Sequence, residues 1–132
     1  MDSQKILLDT SILIDFFRKK NKSKLILYQL IPEYEFCLSI ITSFGIRIGI
    51  KTDRQKRDYE ILIEYFDILP IDEACIDVAV DIYTFLKKRN AMIELADLFI
   101  GATAVSNSLR LATLNRKHFN NIPDLMLLPL PG

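Results

Sequence analysis

The 132-residue sequence contains no tryptophan, one histidine and only two cysteines, Cys37 and Cys75. Both cysteines lie within apolar stretches and lack the spacing of metal ligands, so we expect reduced core thiols rather than a disulfide or a zinc site. The formal net charge is zero, so the overall charge of the protein would not attract nucleic acid. A polyanionic partner would therefore have to be held by local basic patches or through a metal ion.

Long apolar runs are also missing. None approaches the length that a bilayer-spanning helix needs, and the first residues lack the cationic start and apolar block of a secretory signal. No repeat, low-complexity tract or flexible linker interrupts the chain, so we expect a single domain over residues 1–132. Half of the residues are hydrophobic and 26% are charged, which is typical of a globular protein. We therefore expect a soluble, cytoplasmic protein without membrane association.

Short apolar stretches alternate with amphipathic ones along the chain. Apolar residues at helical spacing predict helices near residues 11–20, 24–31, 54–66, 73–90 and 94–108. Strands are expected at residues 4–8, 35–40, 66–71, 111–115 and 125–130. The candidate helix caps are Thr10 or Ser11, Ser23, Thr42, Asp53 and Asp72. This alternation predicts an α/β fold in which a central, mostly parallel sheet of four to five strands carries helices on both faces.

The segment 41–52 fits two structures. Its apolar residues Phe44, Ile46 and Ile48 alternate with small or polar ones, which is the period of a strand. Thr42 is nevertheless a plausible helix cap, and a short helix would connect the second strand to the next one. We predict a helix.

Polar side chains follow two of the predicted strands. Asp9 comes directly after the first strand, where an unpaired charge at the edge of a core is costly. Asn115 ends the strand at 111–115, and Asp97 lies near the start of the helix that begins at Glu94. Because ligands of open parallel sheets bind beyond the carboxyl ends of the strands, these side chains could gather at one edge.

Carboxylate and amide oxygens without cysteine or histidine suit a hard cation such as Mg²⁺, which takes one or two carboxylates and keeps several waters. Each residue also has a structural explanation. Asp9 could cap the first helix, Asp97 could interact with a helix dipole, and Asn115 could shape a turn. Only the three positions together favour a site. A phosphotransferase of the haloacid dehalogenase type fits poorly, because it needs a second Asp where this chain has Ser11.

Three stretches, LLDTSILIDFF, ELADLFIGATA and LATLNRKHFNNI, resemble in order and separation the PIN domain, and more narrowly the VapC-type toxins of type II toxin–antitoxin pairs. The resemblance implies a parallel sheet between layers of helices and a metal-dependent endoribonuclease. It implies that Asp9 and Asp97 ligate Mg²⁺ or Mn²⁺ and that Asn115 positions a water. Ser11 and Thr113 match supporting hydroxyl positions.

The resemblance also implies partners: an RNA substrate, with tRNA among the family's substrates, a VapB-like antitoxin and a second copy in a homodimer. Arg116 and Lys117 lie beside the predicted site and could hold RNA phosphates. For His118 we expect a structural or substrate-contact role. The antitoxin's apolar helix would lie in a groove of the early helices, whose apolar residues are Phe16, Phe17, Leu25, Leu27, Tyr28, Ile46 and Ile50.

One family position does not match. The family reads Ser-x-x-Thr-x-x-Glu-Leu where this chain has SIITSFGI, so Gly45 replaces a carboxylate. Weaker cation binding and weaker cleavage are expected. Three explanations stay open: a naturally weakened nuclease, recruitment of another acid such as Glu94, or a change made or selected because the active toxin harms its host. The alternative function is a non-catalytic PIN-like module that retains antitoxin or RNA binding.

Overall fold

The structure is a computed structural model and describes residues 4–18 and 25–131. Strands and helices alternate along the chain, as the pattern predicts. Their bounds are β1 (Gln4–Leu8), α1 (Thr10–Arg18), α2 (Ile26–Leu30), β2 (Tyr34–Ser39), α3 (Ile40–Ile48), α4 (Asp53–Ile63), β3 (Asp67–Leu69), α5 (Glu73–Lys88), α6 (Leu95–Ser106), β4 (Arg110–Ala112) and α7 (Arg116–Phe119).

The four strands form one parallel sheet in the order β3-β2-β1-β4. β1 lies inside the sheet, and its residues Ile6, Leu7 and Leu8 are fully buried. Because successive side chains of a strand face opposite sides, Ile6 and Leu8 pack with α1, α2 and α3, whereas Leu7 packs with α5 and α6. The three-layer α/β fold is therefore confirmed.

The segment 41–52 begins in helix α3, which confirms the helical prediction. Thr42 does not cap it, however. The cap is Ser39, whose Oγ accepts a hydrogen bond from the backbone N–H of Ile41 at 3.1 Å. Ser39 ends β2 with an extended backbone and immediately precedes the helix, which is where a capping side chain reaches the first free N–H groups. Thr42 is buried one residue further into the helix.

A neighbouring hydroxyl likewise replaces a predicted cap at α4. Asp53 is the first helical residue, and Thr52 is the cap that accepts the N–H of Gln55 at 3.1 Å. Asp72 caps α5 as predicted, since its Oδ1 accepts the N–H of Cys75 at 2.9 Å. The predicted caps of α3 and α4 are thus three residues and one residue too late, respectively.

The predicted fifth strand at 125–130 is wrong. Within the described chain this segment makes only an isolated parallel bridge between Leu127 and Leu111. Leu111 there donates one backbone hydrogen bond and accepts another. Pro129 and Pro131 lack the N–H group that would continue the ladder.

Gly101 lies where α6 approaches the chain after α7. A Cβ atom at this position would sit 2.6 Å from the Ile122 Cδ1 atom, so any larger residue requires Ile122 to move. Cys37 and Cys75 are both free and buried, as expected. The predicted cap Ser23 and the end of the first helix at 19–20 lie outside the described residues. Among the helices of residues 4–18 and 25–131, none is long and apolar enough to cross a membrane.

Candidate active site

Asp9 follows β1 and is only 3% exposed. Its Oδ2 accepts hydrogen bonds from Ser11 Oγ and Thr113 Oγ1, both at 2.7 Å. Ser11 Oγ accepts the N–H of Leu114 at 3.0 Å, and Thr113 Oγ1 accepts the N–H of Asn115 at 2.9 Å. Because each hydroxyl has a single proton, these contacts direct both protons to Asp9. The buried carboxylate thus ties the end of β1 to the loop after β4.

This arrangement explains how a carboxylate is tolerated at the edge of the core. The side-chain hydrogen bonds described for Asp9 all reach Oδ2 and come from hydroxyl groups, not from the first N–H groups of α1. The capping explanation of Asp9 therefore has no support in these contacts. Oδ1 is the oxygen left for another partner.

Asp97 lies in the first turn of α6, and its side chain is 18% exposed. Burial raises its pKa above the ordinary value, and the negative charge of Asp9 raises this pKa further. Glu94 adds a smaller effect in the same direction, whereas His118, whose Nδ1 lies 3.1 Å from Asp97 Oδ2, lowers the pKa. The repulsion shows that Asp9 and Asp97 are close in space although they are far apart in the chain.

One pocket opens over these side chains, and we call it the acid pocket. It brings together the predicted residues Asp9, Ser11, Asp97, Asn115 and Glu94. The other lining residues are Thr10, Ile14, Asp15, Arg18, Leu114 and His118. Sequence reasoning expected a structural or substrate-contact role for His118 and assigned none of the other five to a site. Helical spacing could have found two of them, because Asp15 lies four residues after Ser11 and Arg18 three residues after Asp15.

Gly45 does not line the acid pocket. It lines a neighbouring cleft between α1 and α3, and both cavities share Ile14 and Arg18 in their walls. A Cβ atom at Gly45 would meet no atom within 4 Å, so packing does not require glycine there. The space at position 45, beside the acid pocket, is therefore open.

The remaining candidates are exposed. Glu94 is the residue before α6 but makes no capping hydrogen bond through its side chain. Asn115 precedes α7 and likewise makes no side-chain cap, which leaves its amide free for the pocket. Arg116 donates from Nη1 to the Leu128 carbonyl at 3.3 Å, whereas Lys117 is solvent-exposed beside it.

The acid pocket offers oxygen donors to a cation. Across residues 4–18 and 25–131, no three His, Cys, Asp or Glu side chains converge closely enough to hold a metal ion. The assigned donors are the carboxylates of Asp9 and Asp97 and the amide of Asn115. Mg²⁺ commonly uses one or two protein carboxylates and completes its shell with water and substrate phosphate. A cation would also relieve the repulsion between Asp9 and Asp97. The set fits Mg²⁺ or Mn²⁺.

Comparison with known proteins agrees with this geometry. The family model of the PIN domain matches residues 6–125. The chain belongs to the PIN domain family. Ribonuclease VapC1 of Methanocaldococcus jannaschii is 39% identical over 126 residues, which cover 96% of this chain and 87% of the relative. Ribonuclease VapC of Rickettsia bellii is 33% identical and covers 96% of both chains.

A solved structure is similar as well. VapBC-1 from nontypeable Haemophilus influenzae superimposes with a TM-score of 0.82 at 27% identity, covering 95% of this chain and 97% of that one. The predicted relation to VapC-type toxins is thus confirmed. In this PIN domain, the acid pocket lies at the carboxyl ends of β1 and β4, the two strands that Asp9 and Thr113 follow.

Proposed function

We propose that this PIN domain is a metal-dependent endoribonuclease toxin of the VapC type. The observation that carries the proposal is the meeting of Asp9 and Asp97 in one pocket, close enough for one charge to raise the pKa of the other carboxyl group. Relatives named ribonuclease VapC support the same activity. The proposed substrate is RNA, with tRNA as one candidate.

We assign Asp9 and Asp97 as ligands of Mg²⁺ or Mn²⁺. When bound, such a cation polarises the scissile phosphate and lowers the pKa of a water nucleophile. The chain itself holds the carboxylates in place, since Ser11 and Thr113 occupy Asp9 Oδ2 with hydrogen bonds. The Asn115 amide would orient a water molecule by hydrogen bonding.

The activity proposed for this chain is a weakened one, because Gly45 supplies no carboxylate to the space beside the acid pocket. Glu94 is the proposed substitute, since it lines the pocket and its charge reaches Asp97. The second candidate function is a non-catalytic module that binds antitoxin or RNA. Gly45 favours this alternative, because the family resemblance implies a carboxylate at that position and glycine supplies none.

RNA cleavage by the purified protein tests the proposal. We expect cleavage that requires Mg²⁺ or Mn²⁺, stops with EDTA and falls about 100-fold or more in Asp9→Asn, because this change removes a charge that the reaction needs. The matched control is Asp15→Asn, a carboxylate of the same pocket to which we assign no role; it should cleave as the unmodified protein does. Absence of metal-dependent cleavage from both the unmodified protein and Gly45→Glu would leave the non-catalytic module.

We propose Lys117 as a contact for RNA phosphates. It lies at the start of α7, two residues after Asn115, and its side chain is exposed. Arg116 is a weaker candidate, since its guanidinium already donates to the Leu128 carbonyl. A lysine ammonium near the scissile site would offset the negative charge of the acid pocket during RNA binding.

A VapB-like antitoxin is the proposed protein partner. An apolar groove between α1, α2 and α4 contains Phe16, Leu27 and Tyr28 from the predicted set. Its rim carries Tyr65, which is 77% exposed, and the charged pair of Lys5 and Asp67 at 3.1 Å. An amphipathic helix recognises a groove of this kind through apolar side chains spaced three or four residues apart. Of the other predicted groove residues, Phe17, Ile46 and Ile50 line the cleft at Gly45 instead, and Leu25 lies in the buried core.

Tyr65→Glu should weaken antitoxin binding at least about tenfold, because it places an unpaired charge at the edge of an apolar contact. Binding to the product of an adjacent antitoxin-like reading frame can be measured by calorimetry. Met126→Glu is the control, since Met126 is another exposed apolar residue but lies outside the groove. Equal affinities of the two variants would contradict docking in this groove.

We also propose that the chain forms a homodimer, as the family resemblance implies. A candidate surface is the apolar strip on α5, where Ile76, Val80 and Tyr83 are exposed beside Leu98 and Phe99 of α6. The burial of such a strip removes apolar area from water.

A further inference from the structure

His118 is the only histidine of the chain, and it contacts the candidate active site. Its ring Nδ1 lies 3.1 Å from Asp97 Oδ2. The side chain is 55% exposed, so this is not a histidine packed into the core. Its backbone N–H donates to the Asn115 carbonyl at 3.0 Å in the first turn of α7, and both residues line the acid pocket.

The direction of the contact depends on protonation. With Asp97 ionised, Oδ2 can only accept, and the hydrogen bond then requires a ring that carries a hydrogen on Nδ1. This bond occupies Oδ2 and restrains rotation of the carboxylate, while Oδ1 stays available. It is also the hydrogen bond that the structure describes for the Asp97 side chain.

The two proposed metal ligands are therefore held in different ways. Asp9 is buried and fixed by two hydroxyl donors at 2.7 Å, whereas Asp97 is held by one longer contact from an exposed ring. With glycine at position 45, the described residues provide no third acid for a metal cluster. The orientation of Asp97 consequently matters more here than in a site with an additional carboxylate.

We propose that His118 is a positioning residue that orients the Asp97 carboxylate for a divalent cation. This inference rests on the proposed metal-dependent function. His118 acts through Asp97 and takes no part in proton transfer to or from RNA. Metal-ligating carboxylates commonly depend on such hydrogen bonds, and losing one typically weakens metal affinity about 10- to 100-fold.

Direct Mn²⁺ binding without RNA, followed by the electron paramagnetic resonance signal of free Mn²⁺, tests the role of His118. We expect His118→Ala to weaken binding about tenfold, at the low end of that range because the contact is exposed. His118→Asn should restore affinity to within about threefold, since the Asn amide nitrogen occupies the same place relative to Cβ as Nδ1. Asn120→Ala, a change in an exposed residue two positions further on and outside the acid pocket, should leave Mn²⁺ affinity unchanged.

The outcomes separate this inference from the proposed function. If Asp97→Asn abolishes Mn²⁺ binding but His118→Ala binds as tightly as the unmodified protein, the positioning role is overturned and the nuclease proposal stands. Slower RNA cleavage by both His118→Ala and His118→Asn at unchanged Mn²⁺ affinity would indicate proton transfer by the ring and would also overturn it. If Mn²⁺ binding to the unmodified protein is too weak to quantify, the His118 variants are compared in a protein that also carries Gly45→Glu. The nuclease proposal itself is decided by RNA cleavage.

Discussion

Gly45→Glu is expected to raise Mg²⁺-dependent RNA cleavage about 10- to 100-fold, the usual size of a single charged group's effect in an active site. The added side chain starts in open space, since a Cβ at position 45 meets nothing within 4 Å. Ile14 and Arg18 border both this space and the acid pocket, so we expect a glutamate at position 45 to extend toward the pocket. The added negative charge would strengthen the attraction for a divalent cation.

The control for this prediction is Gly45→Gln, which has nearly the same size and helix propensity as Glu but carries no charge. Both variants should gain about 0.5–1 kcal/mol in free energy of unfolding, because Gly is unfavourable inside a helix such as α3. Only Gly45→Glu should gain cleavage, and adding Asp9→Asn should remove that gain. Equal cleavage by the Glu and Gln variants would show that position 45 is not a vacated acid position.

Asp97→Asn is expected to abolish cleavage and at the same time to stabilise the metal-free protein at neutral pH. Burial and the charge of Asp9 raise the pKa of Asp97 in the folded state. A raised carboxyl pKa means that folding favours the protonated form, so the stabilising contribution is present below the ordinary pKa and is lost as pH rises through the raised one. At neutral pH the ionised carboxylate therefore opposes folding, and Asn removes this effect.

The expected gain is about 0.5–2 kcal/mol at pH 7, the size of a typical single stabilising substitution. Urea unfolding in EDTA should show this difference at pH 7 and a smaller one near pH 4. Saturating Mg²⁺ should stabilise the unmodified protein but not the variant, because a ligand stabilises the state to which it binds. A less stable Asp97→Asn at pH 7 would instead identify Asp97 as a helix acid that interacts favourably with the dipole of α6.

Most of the fold could be predicted from local patterns. The buried run Ile6–Leu8 indicated an interior strand, and helical spacing located α1, α4, α5 and α6. The wrong predictions also concern short segments, namely helix caps and one strand. Ser39 and Thr52 replace the predicted caps, because Thr42 and Asp53 lie within the helices and the capping hydroxyls precede them. The segment 125–130 is apolar enough for a strand, but proline removes the donors that a strand needs.

The site was predictable only in part. The positions Asp9, Asp97 and Asn115 follow from strand ends, a helix start and the family resemblance, and the structure gathers them in one pocket. The hydrogen bonds from Ser11 and Thr113 to Asp9, by contrast, depend on the pairing of β1 with β4. The contact between His118 and Asp97 depends on how α7 packs beside α6.

By itself, the sequence determined the alternation of strands and helices, the apolar interior of the sheet and the residue types available for a hard cation, because these depend on spacing over a few residues. Tertiary structure alone decided which distant side chains share a pocket, that Asp9 repels Asp97, and that position 45 borders open space. Such proximity follows from strand order and helix packing, which bring together residues that no short-range periodicity relates.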